Sequence, residues 1–276
     1  MLLEKETVAM ALILTREEVR SLLEMPELID AVESSLIQSS LGQTIQPVRL
    51  RLYVPKYQSR MLSMPAYLEG SDAMGMKVIG GARTNPQRGL PGLAAIVVLC
   101  EPDTGRFLAI MEGAYITEVR TAAASAVATR WLARPEASVL AILGAGLQGR
   151  SHLWAISTVR PIAEVKVYDV VPERARQYKL EMEARFGLPV QICESAEVAV
   201  RDSDIVVTVT TSKRPVVQGA WLREGAHVNA VGAATPDSRE LDSDAVCRSR
   251  IVTDSMEALF AEAGDVLIPI SEGRLS

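Results

Sequence analysis

The sequence of 276 residues predicts an α/β protein in two parts, on three observations. From residue 138 onwards, apolar runs of strand length alternate with helix-like segments, a pattern typical of a parallel sheet covered by helices on both faces. Between residues 47 and 105, short β-like runs separated by Pro and Gly turns predict an α+β domain instead. An Ala-rich segment lies between these regions, and we expect the domain boundary near it.

The first part begins with a short apolar run, ALILT, that predicts a strand. Thr15 and Glu18 have the spacing of a capping box, and Pro26 suits the first turn of a helix, where its missing N–H costs no hydrogen bond. Four β-like runs follow, at residues 48–54, 60–64, 75–80 and 93–101. The Ala-rich segment, residues 117–133, predicts a helix whose small side chains pack closely against another element.

The second part contains six apolar runs that predict strands, at residues 138–145, 164–170, 188–193, 204–210, 227–232 and 250–254. We therefore predict a first domain at residues 1–118 and a second at residues 119–265. Residues 266–276 form a further short segment.

Composition favours a globular protein that acts on small molecules. Hydrophobic residues make up 48% of the chain and charged residues 23%. The formal net charge is -5, and the cations are scattered, so no basic surface for nucleic acid is expected.

Cysteine usage indicates a reducing compartment. The three cysteines, Cys100, Cys193 and Cys247, are far apart and odd in number, which predicts neither a disulfide framework nor a metal site. The start of the chain lacks a basic region, and no segment approaches the roughly 18 apolar residues that a membrane span needs. We expect a soluble, cytoplasmic protein that binds no membrane.

Three glycines, Gly144, Gly146 and Gly149, follow the run at 138–145 and open a helix-like segment. In the pattern G-x-G-x-x-G, the first glycine permits a tight turn, the second lets the backbone approach a pyrophosphate, and the third allows close helix–strand packing. A tight strand-to-helix turn is the alternative. The strand before and the helix after favour a phosphate loop, so this part is predicted to be a Rossmann dinucleotide-binding domain with a parallel sheet.

Asp169 ends the next predicted strand, at the distance where an acid hydrogen-bonds the 2′-hydroxyl of an adenosine ribose. A carboxylate there repels a 2′-phosphate, which favours NAD(H) over NADP(H). Val170 and Val171 supply no compensating cation, although Arg174 follows a turn later.

Three segments, the run from Gly89 to Ala133 that contains RTAAASA, the loop GAGLQGRSH and the segment HVNAVGAATPDSREL, resemble the ornithine cyclodeaminase/mu-crystallin family over nearly the whole chain. The resemblance implies a homodimer, with a first domain that binds substrate and pairs the subunits, and a Rossmann domain that holds a nicotinamide cofactor. Members deaminate ornithine to proline, reduce cyclic ketimines or pyrroline-2-carboxylate, or oxidise alanine. These reactions share hydride transfer at a carbon that bears nitrogen and a carboxylate.

A substrate of this kind carries a carboxylate, which cationic side chains can bind, and three such side chains are candidates. A guanidinium can engage both oxygens of a carboxylate, and similarity to the family motifs QPVR and RTAA implies that role for Arg49 and Arg120. Lys77 is implied to be a substrate-side cation or proton donor, so Lys77 and Arg120 are the candidate catalytic residues. By spacing alone, Arg49 and Arg51 would be solvated on one strand face with Tyr53, and Lys77 would be a surface lysine with a buried stem. Arg120, placed early in its helix, would work slightly against the helix dipole.

The remaining candidates are cofactor contacts. They lie beside the RTAA arginine, in the glycine loop, and after two predicted strands, where ligands collect at the carboxyl edge of open α/β sheets. They are Thr121, Leu147, Gln148, Thr210, Thr211, Ser212, Val231 and Gly232. His152 and His227 show no ligand spacing and are expected to be structural.

Three positions depart from the family pattern. Leu62 and Ala234 stand where ornithine-deaminating members have acids, and Gly92 stands where many members have threonine. The chain also stops at Ser276, where members continue with a segment that returns to the first domain. We therefore expect an NAD(P)H-dependent reductase of a small cyclic imino acid; ornithine cyclodeamination and cofactor-dependent binding of a small molecule without turnover are the alternatives.

Overall fold

A computed structural model describes residues 11–82 and 84–275. It divides into two compact units, Met1–Arg120 and Thr121–Ser276, and the division falls next to the predicted boundary between residues 118 and 119. The predicted α/β fold class is confirmed. None of the helices in the described ranges is long and apolar enough to cross a lipid bilayer.

The first unit is built around a seven-stranded sheet. Its elements are β1 (Leu12–Leu14), α1 (Arg16–Leu22), α2 (Met25–Ser40), β2 (Thr44–Ile45), β3 (Leu50–Val54), β4 (Ser59–Leu68), β5 (Ala73–Ala82), β6 (Ala94–Cys100) and β7 (Phe107–Glu112). The strand order is β1-β7-β6-β5-β4-β2, with β3 also pairing with β4. Neighbouring strands are antiparallel except for β1, which runs parallel to β7.

The predicted helix starts in this unit are confirmed. Thr15 and Glu18 form the capping box before α1, because Glu18 N–H donates to Thr15 Oγ1 at 3.4 Å and Thr15 N–H donates to Glu18 Oε2 at 2.8 Å. Pro26 lies in the first turn of α2.

The Ala-rich helix, α3 (Gly113–Leu132), begins four residues earlier than predicted. Glu112 accepts the backbone N–H of Ala114 and Tyr115 at 3.1 and 2.9 Å, which satisfies two amides of the first turn. A side chain at Gly113 would meet the backbone of β6, so only glycine fits there. Arg120 therefore lies two turns inside the helix, and the prediction that it opposes the helix dipole is wrong.

The second unit contains a parallel five-stranded sheet. Its elements are β8 (Val139–Leu143), α4 (Leu147–Val159), β9 (Glu164–Tyr168), α5 (Pro172–Phe186), β10 (Val190–Ile192), α6 (Ala196–Val200), β11 (Ile205–Thr208), β12 (His227–Ala230), α7 (Ser243–Cys247), α8 (Met256–Glu262) and α9 (Gly264–Ser271). The strand order is β10-β9-β8-β11-β12. The strand order reverses between β8 and β11, the point where open α/β sheets bind ligands.

The strands of the second sheet read as apolar runs because both of their faces are buried. Leu140 and Ile142 of β8 pack in one cluster, and Ala141 and Leu143 pack in another. Five of the six predicted strands are confirmed, and the strand at 250–254 is wrong. Residues 250–253 pair with no described strand, and Ile251 and Val252 are exposed.

His152 is fully buried in this unit. Its Nδ1–H donates to the carbonyl of Gln148 at 2.7 Å, so Nε2 accepts the hydroxyl of Ser125 at 3.0 Å. Both ring nitrogens are thus bonded within the core of the unit, which fits the expected structural role. Burial lowers the pKa of His152 to about 4.

Candidate functional site

The glycine loop after β8 has the geometry of a phosphate cradle. Gly144 has φ +108°, and a Cβ there would lie 2.8 Å from the carbonyl oxygen of Val209, so the turn requires glycine. Gly149 lies against the carbonyl of Gly144. A Cβ on Gly146 would meet no atom within 4 Å, and Gly146 begins α4 without a side-chain cap. The first turn of α4 therefore offers backbone N–H groups beside open space that suits an anion.

Arg150, which sequence reasoning missed, stabilises this loop by binding its backbone carbonyls. Its Nη1 donates to the carbonyls of Ala145 and Gly146 at 2.6 and 3.1 Å, and its Nε donates to Glu181 at 2.6 Å. The guanidinium also lies over the ring of Tyr178, with 5.6 Å to the centroid. Arg150 therefore satisfies two backbone carbonyls of the loop and ties the loop to α5 through Glu181.

Asp169 joins the end of β9 to the same loop. One carboxylate oxygen accepts the N–H of Ala145 at 2.9 Å, and the other accepts the N–H of Val171 at 2.8 Å. Each oxygen of an ionised carboxylate can accept two hydrogen bonds, so capacity for a ribose hydroxyl remains. Among the described residues, the side-chain oxygen of Gln148 is buried and has no donor. Both features suit a dinucleotide cofactor.

The loops after β11 and β12 are joined by Glu240, a second residue that sequence reasoning missed. Its two oxygens accept the N–H of Thr210 at 2.6 Å and of Gly232 at 2.7 Å, and its side chain is fully buried. Asp265, at the start of α9, in turn accepts the N–H of Glu240 and Leu241, both at 2.8 Å. Asp265 therefore positions the backbone of Glu240, and the Glu240 carboxylate fixes the loops after β11 and β12 at the carboxyl edge of the sheet.

The other candidate residues of these loops take part in local bonds. Ser212 N–H donates to Thr210 Oγ1 at 3.1 Å, and its hydroxyl donates to the carbonyl of Arg214 at 2.7 Å. Val231 continues the pairing of β12 with β11 through a 3.0 Å bond to the carbonyl of Thr208. Thr211 and Leu147 are exposed. Thr121 lies in α3, at the first residue of the second unit.

The three candidate substrate cations lie together in the first unit. Lys77 is in β5 on the same face as Gly75 and Ile79, as predicted, and Arg49 directly precedes β3. Burial, followed by the charges of Arg120 and Arg49, lowers the pKa of Lys77 to about 8. Because these like charges repel one another, an anion bound among them would lower their electrostatic energy. Arg51, in β3, is exposed.

Comparison with protein-family models gives one decisive match. Residues 9–273 match the model of the ornithine cyclodeaminase/mu-crystallin family. This chain belongs to that family. The resemblance seen in the sequence is thus confirmed over nearly the full length.

Within the ornithine cyclodeaminase/mu-crystallin family, a Δ1-pyrroline-2-carboxylate reductase of Bacillus cereus is 37% identical over 263 residues, 95% of this chain and 81% of that protein. The structure of the Thermococcus litoralis Δ1-pyrroline-2-carboxylate reductase, in complex with NADH and L-proline, is 42% identical with a TM-score of 0.92, over 96% of this chain and 82% of that one. An archaeal alanine dehydrogenase, described as a dimer with bound NAD, is 37% identical with a TM-score of 0.90, over 96% and 81%.

Proposed function

We propose that this chain is an NAD(P)H-dependent oxidoreductase that reduces a cyclic imino acid to the cyclic amino acid. The observation that carries the proposal is the cluster of Arg49, Lys77 and Arg120, in a family member whose second unit carries a phosphate cradle. The similar reductases named above act on pyrroline-2-carboxylate, a ring with one carboxylate and one C=N bond.

In this reaction the nicotinamide supplies the hydride that adds to the C=N carbon. Arg49 and Arg120 hold the carboxylate of the substrate, which fixes the ring for attack, so positioning is the main catalytic device. Lys77, with its pKa near 8, is largely an ammonium at neutral pH. It hydrogen-bonds the imine nitrogen and supplies the proton that the nitrogen gains as the carbon gains hydride.

Asp169 supports a preference for NAD(H) over NADP(H). Its carboxylate is held by two backbone N–H groups at the end of β9, and the exposed residue beside it, Val170, carries no charge. A 2′-phosphate would meet a fixed negative charge there. Asp169→Ser is expected to weaken NADH binding about tenfold and to narrow the preference over NADPH, which titration of both cofactors measures.

Ornithine cyclodeamination is the second candidate, and the acids that it uses are missing. Leu62 lies in β4 opposite Ile79, on the face that carries Lys77. Asp237, near Ala234, pairs with Lys213 at 2.8 Å and accepts the Thr235 hydroxyl, and these bonds lower the pKa of Asp237 to about 2. A buried ornithine ammonium would therefore lack a partner, which costs several kcal/mol.

The test compares two reactions of the same protein. NADH oxidation with pyrroline-2-carboxylate is measured beside ammonia and proline formation from ornithine with NAD⁺. We expect kcat/KM to favour the imino acid about a hundredfold or more, since each 1.4 kcal/mol is a factor of about ten. A larger kcat/KM for ornithine would overturn the proposal. NADH binding without turnover of either substrate would support a small-molecule binder instead.

We also propose a homodimer. Five large apolar side chains on the sheet face opposite Lys77 are 36% to 68% exposed: Leu50, Leu52, Met61, Met76 and Ile96. A contiguous apolar patch of this kind is typical of a protein interface. Sedimentation velocity should give twice the chain mass of 29.9 kDa. A cytoplasmic location agrees with free thiols at Cys100, Cys193 and Cys247.

A further inference from the structure

A cavity of about 390 Å³ opens in the first unit at the end of the sheet face that carries Lys77. Seven residues of β3, the turn between β3 and β4, β4, β5 and the loop after β5 line it: Tyr53, Gln58, Arg60, Gly81, Ala82, Pro86 and Gly92. This inference rests on the proposed function and concerns the part of the substrate that lies beyond the ring.

The strand register places this cavity on the cation face. Tyr53 pairs with Arg60, and Arg60 pairs with Gly81, so these three residues point to one side of the sheet. Lys77 precedes Gly81 by four residues on β5 and points to the same side, about 14 Å away along the strand. Leu62 and Ile79 lie between the two places on this face, and Arg51 of β3 lies beside Leu62.

Two polar groups face the cavity without a protein partner. Within the described part of the chain, the exposed Arg60 guanidinium makes neither a hydrogen bond nor an ion pair with protein, and the same holds for the hydroxyl of the exposed Tyr53. The loop side of the cavity offers space at Gly92, because a Cβ there would come no closer than 3.9 Å to Pro86. Gly81 is instead covered by the carbonyl of Gly92, which would lie 2.5 Å from a Cβ at that position. An arginine beside an open cavity is suited to a carboxylate, which it can bind with two parallel hydrogen bonds.

We propose that this cavity is a subsite for a second carboxylate, so that the preferred substrate is an imino acid with an acidic side chain. Arg49 and Arg120 hold the carboxylate beside the C=N bond, and Lys77 acts on the imine nitrogen. Arg60 binds the distal carboxylate, the Tyr53 hydroxyl donates to it, and the apolar carbons of the side chain lie over Leu62 and Ile79. Pyrroline-2-carboxylate is then a minimal substrate that leaves the subsite empty.

The test uses three ring substrates that differ only beyond the ring: Δ1-pyrroline-2-carboxylate, the same ring with a carboxyethyl chain at carbon 4, and the matching propionamide. In the wild type, kcat/KM for the carboxyethyl compound should exceed that for the amide about tenfold or more, the effect of one charge-assisted pair. Arg60→Gln should remove this preference and leave kcat/KM for the unsubstituted ring within about twofold.

Two further variants separate a direct contact from other effects. Arg88→Gln removes an exposed arginine from the same loop without touching the cavity lining, and it should keep the preference. Gly92→Thr narrows the cavity and should abolish the preference although Arg60 is intact. An equal effect of Arg88→Gln and Arg60→Gln, or no preference in the wild type, would overturn the subsite.

Failure of the subsite and failure of the proposed function are distinguishable. If the wild type reduces the unsubstituted ring but treats the acid and the amide alike, only the subsite is wrong. If no ring is reduced, the proposed function is wrong, and calorimetric binding of the carboxyethyl compound to wild type and Arg60→Gln still decides the subsite. Equal affinity of the two proteins would then exclude it.

Discussion

The two units build their candidate sites from different materials. In the first unit, three side-chain cations lie on and beside one sheet, and burial together with the charges of Arg120 and Arg49 lowers the pKa of Lys77. In the second unit, the site consists of backbone N–H groups at the carboxyl edge of the sheet, and carboxylates such as Asp169 and Glu240 fix the loops that carry them. Under the proposed function, substrate recognition depends on charge and cofactor recognition depends on loop geometry.

If this comparison holds, substitutions in the first unit change substrate kinetics, and substitutions in the second change cofactor affinity. The largest effect is expected for Arg120→Ala, which removes a partner of the substrate carboxylate. We expect kcat/KM for pyrroline-2-carboxylate to fall about 30- to 1000-fold, which corresponds to a loss of about 2–4 kcal/mol of transition-state stabilisation. The Kd of NADH should stay within about twofold.

Arg20→Ala is the matched control, because Arg20 is an exposed arginine on α1. Its kinetics should be those of the wild type. An unchanged kcat/KM in Arg120→Ala would mean that this arginine is a surface residue. It would contradict the statement that substrate recognition in the first unit depends on these charges.

A smaller effect is expected in the second unit for Glu240→Gln. Both carboxylate oxygens accept backbone N–H groups, but a glutamine has one acceptor and would turn its NH₂ toward Thr210 or Gly232. One loop should therefore shift, and the Kd of NADH should rise about tenfold to a hundredfold, as expected for an unsatisfied buried donor. Fluorescence titration of NADH measures this change.

Asp204 provides the matched control at the opposite edge of the same sheet. It accepts the N–H of Ser138 and Val139, both at 3.0 Å, and pairs with Arg134 at 2.7 Å and Arg223 at 2.9 Å. Asp204→Asn should lower the Tm and leave the Kd of NADH unchanged. If Glu240→Gln, like Asp204→Asn, lowers only the Tm and leaves the Kd of NADH unchanged, Glu240 is a structural residue and NADH binding does not depend on it.

The smallest effect is a pH dependence that belongs to the first unit. Lys77 is protonated below its pKa of about 8 and neutral above it. If the ammonium acts on the imine, kcat/KM should fall about fivefold between pH 8 and pH 9, because kcat/KM reports the pKa of the free enzyme. Lys77→Arg, which keeps its charge, should lack this descending limb. If kcat/KM falls above pH 8 in both the wild type and Lys77→Arg, the ionisation belongs to a group other than Lys77.

The same contrast explains what the sequence could predict. The glycine loop and its strand were predictable because their requirements are local: a turn at Gly144, an open approach at Gly146 and close packing at Gly149. The absence of a strand at 250–254 in the second unit was not predictable. β-Branched residues favour a strand, but they do not reveal whether a neighbouring strand is available to pair with it.

The contacts that sequence reasoning missed join distant parts of the chain. Glu240 bonds Thr210 across 30 residues, and Arg150 pairs with Glu181 across 31 residues, without a local pattern that would reveal either. The early start of α3 was missed for a related reason. It depends on the approach of Gly113 to β6, which only the packed structure shows.

The buried His152 gives the protein a built-in sensitivity to acid. Its folded-state pKa of about 4 lies below the value of 6.5 for an unhindered imidazole, so between these pH values the unfolded chain binds a proton that the native chain excludes. Its contribution to the free energy of unfolding is complete above pH 6.5 and is lost as the pH falls toward 4, at about 1.4 kcal/mol per pH unit. The accumulated loss of about 3 kcal/mol is a large part of the 5–15 kcal/mol that stabilises a typical domain. Storage or elution at pH 5 would therefore lower the free energy of unfolding of the cofactor-binding unit by about 2 kcal/mol.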